Sequence, residues 1–261
     1  MDIQTTEKLA KSLTAESTSL LPYIPYLLQD LWDLGGGAAM VEKLIARHLP
    51  AAEGLRLLDL ACGKGAISIP LAEKFGCHVT GFDLIPPFIE VARHKAEEYG
   101  VAGLCQFIVK DVNLATQEDK QYDIVLFCAA GDILGKPPEL LGKLRRLVRP
   151  GGMAVLDESY LPEGTNPEIR YKNYAYYTEK QWGKLFDASG FHVLEKGRTD
   201  DAPLQEEQDH QLACIGRRVE ELSAQHPQEA ALFQQYLHSQ QNESFDLVEN
   251  LENAVWLLQR Q

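Results

Sequence analysis

Leu57-Leu58-Asp59-Leu60-Ala61-Cys62-Gly63-Lys64-Gly65-Ala66 is the stretch from which the fold can be read. Its first half is apolar apart from one aspartate, which fits a strand buried on both faces. Its second half carries glycines at 63 and 65, where the backbone can pass close to a ligand that a Cβ would strike. A helix from about 66 to 75 follows, and a helix N-terminus presents free N–H groups and the positive end of its dipole. A second strand, His78 to Asp83, ends on a carboxylate 20 residues beyond Gly63 (83 − 63). An acidic residue at that distance can accept hydrogen bonds from both hydroxyls of a ribose.

The alternation continues downstream. Pro86-Pro87 opens a helix to Tyr99, as proline suits a first helical turn. Gln106 to Lys110 and Tyr122 to Phe127 read as strands, and a helix from Pro138 to Val148 stops at Arg149-Pro150-Gly151-Gly152 before a fifth strand, Met153 to Leu156. The pattern predicts an α/β, doubly wound, Rossmann-like sheet of seven mostly parallel strands with helices on both faces. Ligands of such sheets collect outside the strand C-termini.

Both flanks read as helical. Over residues 1–50, Leu28, Leu31, Trp32 and Leu34 recur at helix-like spacing, Gly35-Gly36-Gly37 interrupts, and Ala38 to His48 restarts a helix. Residues 159–177 form an irregular stretch rich in Tyr, Pro and Asn. Thr178-Glu179-Lys180-Gln181 then caps a helix to Ser189, and Phe191 to Lys196 is a strand. Residues 204–250 read as two or three helices broken at Pro227 and near Asn242. The closing run Ala254-Val255-Trp256-Leu257-Leu258 fits a last sheet strand better than a helix end, which makes the preceding helices an insertion. The expected division is an N-terminal helical lid over 1–50, a core over 51–200, and the insertion with the final strand over 201–261.

Composition narrows the functional classes. The 45% hydrophobic and 24% charged content is that of a globular protein. A formal charge of −13 repels phosphate backbones, so no nucleic-acid partner is expected, and Lys143, Arg145, Arg146 and Arg149 read as a solvated helix face. Five cysteines, an odd number without a CxxC pair, disfavour a metal knuckle or disulfide framework. His48, His94, His192, His210 and His238 lack metal-ligand spacing, so no metal is expected. The apolar stretch from Leu20 to Leu28 is too short to span a bilayer, and no secretory signal is visible. These features predict a cytoplasmic protein without a membrane association, monomeric or homodimeric.

A dinucleotide site would place a third glycine near Ser68, and a carboxylate at Asp59 would repel a pyrophosphate. The ordered motifs instead resemble those of the class I S-adenosylmethionine (SAM)-dependent methyltransferases, specifically the small-molecule branch. Asp59 to Gly65 matches the family's glycine loop, and Gly81-Phe82-Asp83-Leu84 its acidic second strand. Lys110-Asp111-Val112 matches the turn after strand three, Tyr122-Asp123-Ile124-Val125 strand four, and Leu147 to Gly152 the turn before strand five. The resemblance covers about residues 55–200. It implies SAM as cofactor, with S-adenosylhomocysteine as product. Asp59, Ala61, Gly63 and Gly65 would hold the methionine end, Asp83 the ribose, Leu84 and Val112 the faces of the adenine, and Asp111 its amino group. Cys128 and Ala129 would line the pocket near the sulfonium.

Methyl transfer from a sulfonium is an in-line displacement in which alignment alone supplies roughly 7–11 kcal/mol. A general base is needed only when the acceptor must lose a proton. Asp132 and Glu158, just past strands four and five, are the catalytic candidates, and Tyr23, Tyr160, Tyr171 and Tyr174 the acceptor-side candidates. A small-molecule acceptor is expected. Methylation of a protein or RNA, and a SAM-binding module without catalysis, remain the alternatives. Cys128-Ala129-Ala130-Gly131 stands where the Asn-Pro-Pro-Tyr-type signature of nucleobase or amide methylation would be.

Overall fold

The computed structural model describes residues 3–35, 37–49, 52–198 and 201–261. Gly36 of the expected glycine break, and the expected boundaries at 50/51 and 200, lie outside them. The chain runs α1 (Ile3–Ser12), a 3-10 turn (Thr18–Tyr23), α2 (Ile24–Leu27), α3 (Ala38–His48), β1 (Arg56–Leu60), α4 (Ser68–Phe75), β2 (His78–Asp83) and α5 (Pro86–Glu98). It continues with β3 (Cys105–Val109), α6 (Val112–Ala115), β4 (Tyr122–Cys128), α7 (Pro137–Leu147), β5 (Val148–Tyr160), α8 (Glu179–Ala188) and β6 (Phe191–Arg198). Two helices, α9 (Asp201–Gln225) and α10 (Ala230–Phe245), and a π-helical turn (Asp246–Asn250) lead into β7 (Glu252–Arg260).

The sheet has seven strands in the order β3-β2-β1-β4-β5-β7-β6. Pairs among β1 to β5 are parallel, and β7 lies antiparallel between β5 and β6. Strand alternation assigns the apolar side chains to two faces. Leu58, Leu60, Val125, Phe127, Ala154, Leu156, Trp256 and Leu258 meet α7 and α8 through Leu140, Leu141, Leu144, Trp182 and Phe186. Leu57, Val79, Ile124, Leu126, Val155, Val255 and Leu257 meet α3, α4 and α5 through Leu44, Ile45, Ile69, Ala72, Ile89 and Ala92. Burial on both faces explains why these strands read as continuous apolar runs.

A third core joins the two flanks. Leu9 of α1, Leu20, Ile24 and Leu27 pack with Ile215, Val219 and Leu222 of α9 and with Phe233 and Tyr236 of α10, and the cluster rests on Ile85 and Phe88. The N-terminal segment and the insertion, expected as separate pieces, therefore form one roof. Helix α3, expected within the lid, packs on the sheet instead.

Two expectations about elements are corrected. Residues 28–35 are turns and irregular backbone, although their apolar spacing is helical. The Lys64 ammonium donates to the carbonyl oxygens of Leu28 and Leu31, which a helix would keep for itself. Strand β5 extends to Tyr160 rather than ending at Leu156, because the antiparallel ladder with β7 continues to Tyr160 opposite Glu252. Gly151-Gly152, read as a turn, lies within β5, where a register shift against β4 between Tyr122 and Ile124 accommodates it and Gly151 takes φ +73°.

The tyrosine-rich stretch is tied down by one carboxylate. Asp246, fully buried, accepts from the backbone N–H groups of Arg170 and Tyr171 and from the Asn250 side-chain amide. Asp246→Ala strands these donors, and the expected loss is about 2–4 kcal/mol of stability in urea unfolding. Faster proteolytic cleavage near residue 170 should accompany it, and an unchanged unfolding midpoint would contradict the assignment.

Candidate active site

A cavity of about 690 Å³ opens at the C-terminal ends of β1, β2, β4 and β5, beneath the roof. The volume lies in the range of small-molecule sites, about 300–1,000 Å³. Strands β1 and β4 are neighbours, and both leave the sheet through an alanine in the left-handed region, Ala61 at φ +59° and Ala129 at φ +48°. Both alanines line the cavity. Non-glycine residues rarely accept this geometry, and such strain concentrates at functional sites.

The glycine loop is fastened to the end of β2. The Asp83 carboxylate accepts from Gly63 N–H and from Ile85 N–H, each at 2.9 Å, and Cys62 N–H donates to the Phe82 carbonyl at 2.9 Å. Gly63, at φ +52°, lines the cavity. Gly65 does not, among the lining residues. Its φ is +76°, and a Cβ there would stand 2.6 Å from Ile69 Cδ1 and 3.1 Å from Phe107 Cζ, so its need for glycine is one of backbone geometry and packing. On the other side of the loop, Trp32 Nε1 donates to the Lys64 carbonyl at 2.9 Å while the Lys64 ammonium reaches back to the Leu28 and Leu31 carbonyls. Burial lowers that lysine to about 8.

The structure brings most of the expected site residues together. Asp59, Ala61, Gly63, Asp83, Leu84, Val112, Cys128, Ala129, Asp132, Glu158, Tyr171 and Tyr174 all line the cavity. Asp111 is outside the lining; it caps α6, accepting from Asn113 N–H at 2.8 Å. Two acceptor-side expectations are corrected. The Tyr23 hydroxyl faces outward and donates to Glu229 at 2.6 Å. Tyr160 packs against Trp256, and its hydroxyl donates to Glu252 at 2.7 Å. Strand and helix patterns left open which way these rings point, and each found its carboxylate partner far along the chain. Further residues stand on the cavity wall: Asp157 of β5 and Tyr176, which their positions at a strand end and in the tyrosine-rich stretch already suggest, and Tyr236 and Glu243 of the roof and Lys64, which were passed over. Glu243 and Tyr236 carry no local signal in the sequence.

The wall is acidic and mostly dry. Burial pushes Asp59 up to about 7, with the charge of Asp83 adding to it. Burial also raises Asp83 to about 6, against the backbone N–H groups of Ile85, Gly63 and Leu84 that lower it. Burial takes Asp157 to about 7 and Glu158 to about 8; the Tyr174 hydroxyl lowers the latter, while Asp157 and Asp132 raise it. Asp132 is raised by burial and lowered by Lys136, Lys11 and Lys8, which lie on the same wall. Burial likewise pushes the Cys62 and Cys128 thiols well above their usual range, so neither is a nucleophile at neutral pH.

With these positions established, the family can be identified. A family model described as a methyltransferase domain matches residues 51–209. The chain belongs to this methyltransferase-domain family. Over 170 residues this chain is 28% identical to phosphoethanolamine N-methyltransferase 1 of Zea mays, covering 63% of this chain and 34% of that protein. Over 123 residues it is 35% identical to a ubiquinone biosynthesis O-methyltransferase of Cereibacter sphaeroides, covering 45% of this chain and 46% of that protein. The chain thus spans a third to a half of the length of these curated relatives. A solved SAM-dependent methyltransferase from Thiobacillus denitrificans, in complex with S-adenosylhomocysteine, shares the fold at a TM-score of 0.75 and 23% identity, over 91% of this chain and 98% of that one.

The raised carboxyls contribute to the pH response of the ligand-free protein. Asp59, Asp83, Asp157 and Glu158 each hold a proton more tightly folded than unfolded, where carboxyls titrate near about 4. Between that value and about 8 the folded state carries more protons, so this contribution to stability is full below about pH 4 and declines as pH rises through 6–8. The melting temperature should fall from pH 5 to pH 8, and Asp59→Asn should flatten the slope. A melting temperature that rises across that window would contradict the assignment.

Proposed function

We propose that this methyltransferase binds SAM across the ends of β1 and β2 and passes its methyl group to a small-molecule acceptor enclosed beneath the roof. The observation that carries the reading is the pair of buried carboxylates, Asp59 at 3% exposure and Asp83 at 9%, beside a glycine loop that opens onto the cavity. SAM, when bound, supplies a methyl group already activated on a sulfonium.

The chain's own residues then bind and orient. Asp59 suits an ammonium, because a buried carboxylate is stabilised by an opposite charge. The backbone at Ala61 and Gly63 approaches closely enough to hold the methionine end. Asp83 accepts from the ribose hydroxyls through lone pairs not used by Gly63 and Ile85. Leu84 and Val112 give the adenine apolar faces, while Asp111, outside the lining, caps α6 and so sets the position of Val112. Gly65 acts indirectly, by setting the loop. Cys128 and Ala129, at the end of β4, bound the space where donor and acceptor meet. Asp132 and Glu158 are the groups beside that space able to move a proton.

An enclosed cavity favours a small acceptor over a flat macromolecular surface, and a charge of −13 disfavours RNA. The maize and Cereibacter relatives are named for methylation of phosphoethanolamine and for a step in ubiquinone biosynthesis, both small-molecule reactions. The five cysteines, all unpaired, fit the reducing cytoplasm.

Calorimetric titration with SAM and with S-adenosylhomocysteine tests the cofactor. Micromolar binding is expected, and Asp83→Ala should weaken it about 100-fold, the loss of two hydrogen bonds to a charged group at about 1.5 kcal/mol each. Absence of binding by the folded wild-type protein would falsify the reading.

A further inference from the structure

Of the cavity's two ends, the one beyond Cys128 lacks an assigned ligand, and Glu158 gives it a chemical character. Glu158 lines the cavity at 8% exposure near the end of β5. One carboxylate oxygen, Oε2, accepts from the Tyr174 hydroxyl at 2.7 Å. The other, Oε1, is shielded from solvent and has no hydrogen-bond partner. A buried acceptor left without a donor is destabilising, and a ligand carrying the donor recovers that loss.

The surroundings decide what kind of donor fits. The charged groups that act on Glu158 are Asp157 on its own strand and Asp132 after β4, both acidic, while Lys8, Lys11 and Lys136 on the same wall act on Asp132. Glu243 of α10, half-buried and accepting from the Thr14 hydroxyl, also lines the cavity. Tyr174 and Tyr176 present their rings beside it, edge to face with centroids 4.9 Å apart, and Tyr171 lies on the same stretch. Carboxylates together with aromatic rings attract a cation and repel an anion. An ammonium donates to Oε1 and also brings the opposite charge that favours ionisation of these raised acids, which a neutral hydroxyl does not.

We propose that the methyl acceptor is a small primary or secondary amine that arrives as its ammonium form and donates an N–H to Glu158; this rests on the methyl-transfer reading above. Tyr174 is a positioning residue that fixes the carboxyl through Oε2. Glu158 takes one proton from the ammonium. The freed nitrogen lone pair forms the N–C bond to the methyl carbon, and the S–C bonding pair leaves with sulfur, turning the sulfonium into a thioether. The methylated nitrogen then carries the positive charge that sulfur lost, and Glu158 returns its proton to solvent as the product departs.

The experiment pairs binding with turnover on the whole chain. A panel of small aliphatic primary and secondary amines, each matched with its alcohol, is titrated calorimetrically into the S-adenosylhomocysteine complex, in buffers of different ionisation enthalpy. The same panel is assayed with SAM radiolabelled in its methyl group. Amines should bind and become N-methylated while the alcohols do neither. Amine binding at pH 7 should release a proton, since Glu158, held up to about 8 by burial among Asp157, Asp132, Tyr174 and Tyr176, ionises as the cation arrives. Glu158→Gln should weaken amine binding at least tenfold and abolish that proton release, while leaving SAM affinity unchanged. Tyr174→Phe, which keeps the ring, should weaken it several-fold and shift the pH dependence of kcat/KM. Failure to bind SAM sinks the parent reading. SAM binding accompanied by methylated alcohols, by no amine binding, or by amine binding indifferent to Glu158→Gln, sinks this inference alone.

Discussion

Two alanines held at positive φ, Ala61 and Ala129, govern the layout of the molecule. They end adjacent central strands, β1 and β4, whose onward chains build opposite halves of the sheet. An L-residue pays about 1–2 kcal/mol for this backbone geometry, and the small methyl side chain keeps the crowding low. The gap between the departing chains becomes the cavity floor. Neighbouring contacts are correspondingly tight: a Cβ on Gly35 would stand 2.5 Å from that of Ala129, and one on Gly37 would stand 2.1 Å from Asp157 Oδ2. The irregular segment between α2 and α3 therefore lies directly on the strand ends, and the roof is built outward from it.

Electrostatics and architecture reinforce one another at that floor. The carboxyls there are spread over β1, β2, β5, the loop after β4 and helix α10, so no single element concentrates the repulsion. Lys64, the cation nearest the glycine loop, is spent on backbone carbonyls of the roof rather than on a carboxylate. Burial then keeps several acids protonated without a ligand. A positively charged occupant draws the protons off and exchanges an awkward neutral wall for a set of paired charges.

Much of this was legible in the sequence where the information is local. Asp59, Gly63 and Asp83 could be placed because strand, loop and second strand follow one another and burial demands apolar runs between them. The final strand could be read from Ala254 to Leu258, although its length could not, since the ladder that lengthens β5 and β7 depends on their mutual pairing. Lys64 was opaque, because its partners lie 33 and 36 residues upstream. Its capture of the Leu28 and Leu31 carbonyls is also why an apolar spacing that reads as helix forms none. Four tyrosines looked alike in composition. Tyr171 and Tyr174 reach the cavity, whereas Glu229 and Glu252 hold the hydroxyls of Tyr23 and Tyr160 elsewhere.

The position of β7 has a consequence for how the molecule comes into being. This strand follows all the others in the chain yet sits between β5 and β6, and α9 and α10 come just before it. During synthesis, β1 to β5 can assemble while β6 has no partner, because the slot beside β5 stays empty until residues 252–260 emerge. A nascent chain therefore carries two unsatisfied strand edges late in translation, an arrangement prone to mispairing. Closing the slot also draws α9 and α10 across the cavity that both line, since they link β6 to β7. The strand that completes the sheet is thus chained to the helices that roof the pocket, and the two features are coupled through one stretch of backbone.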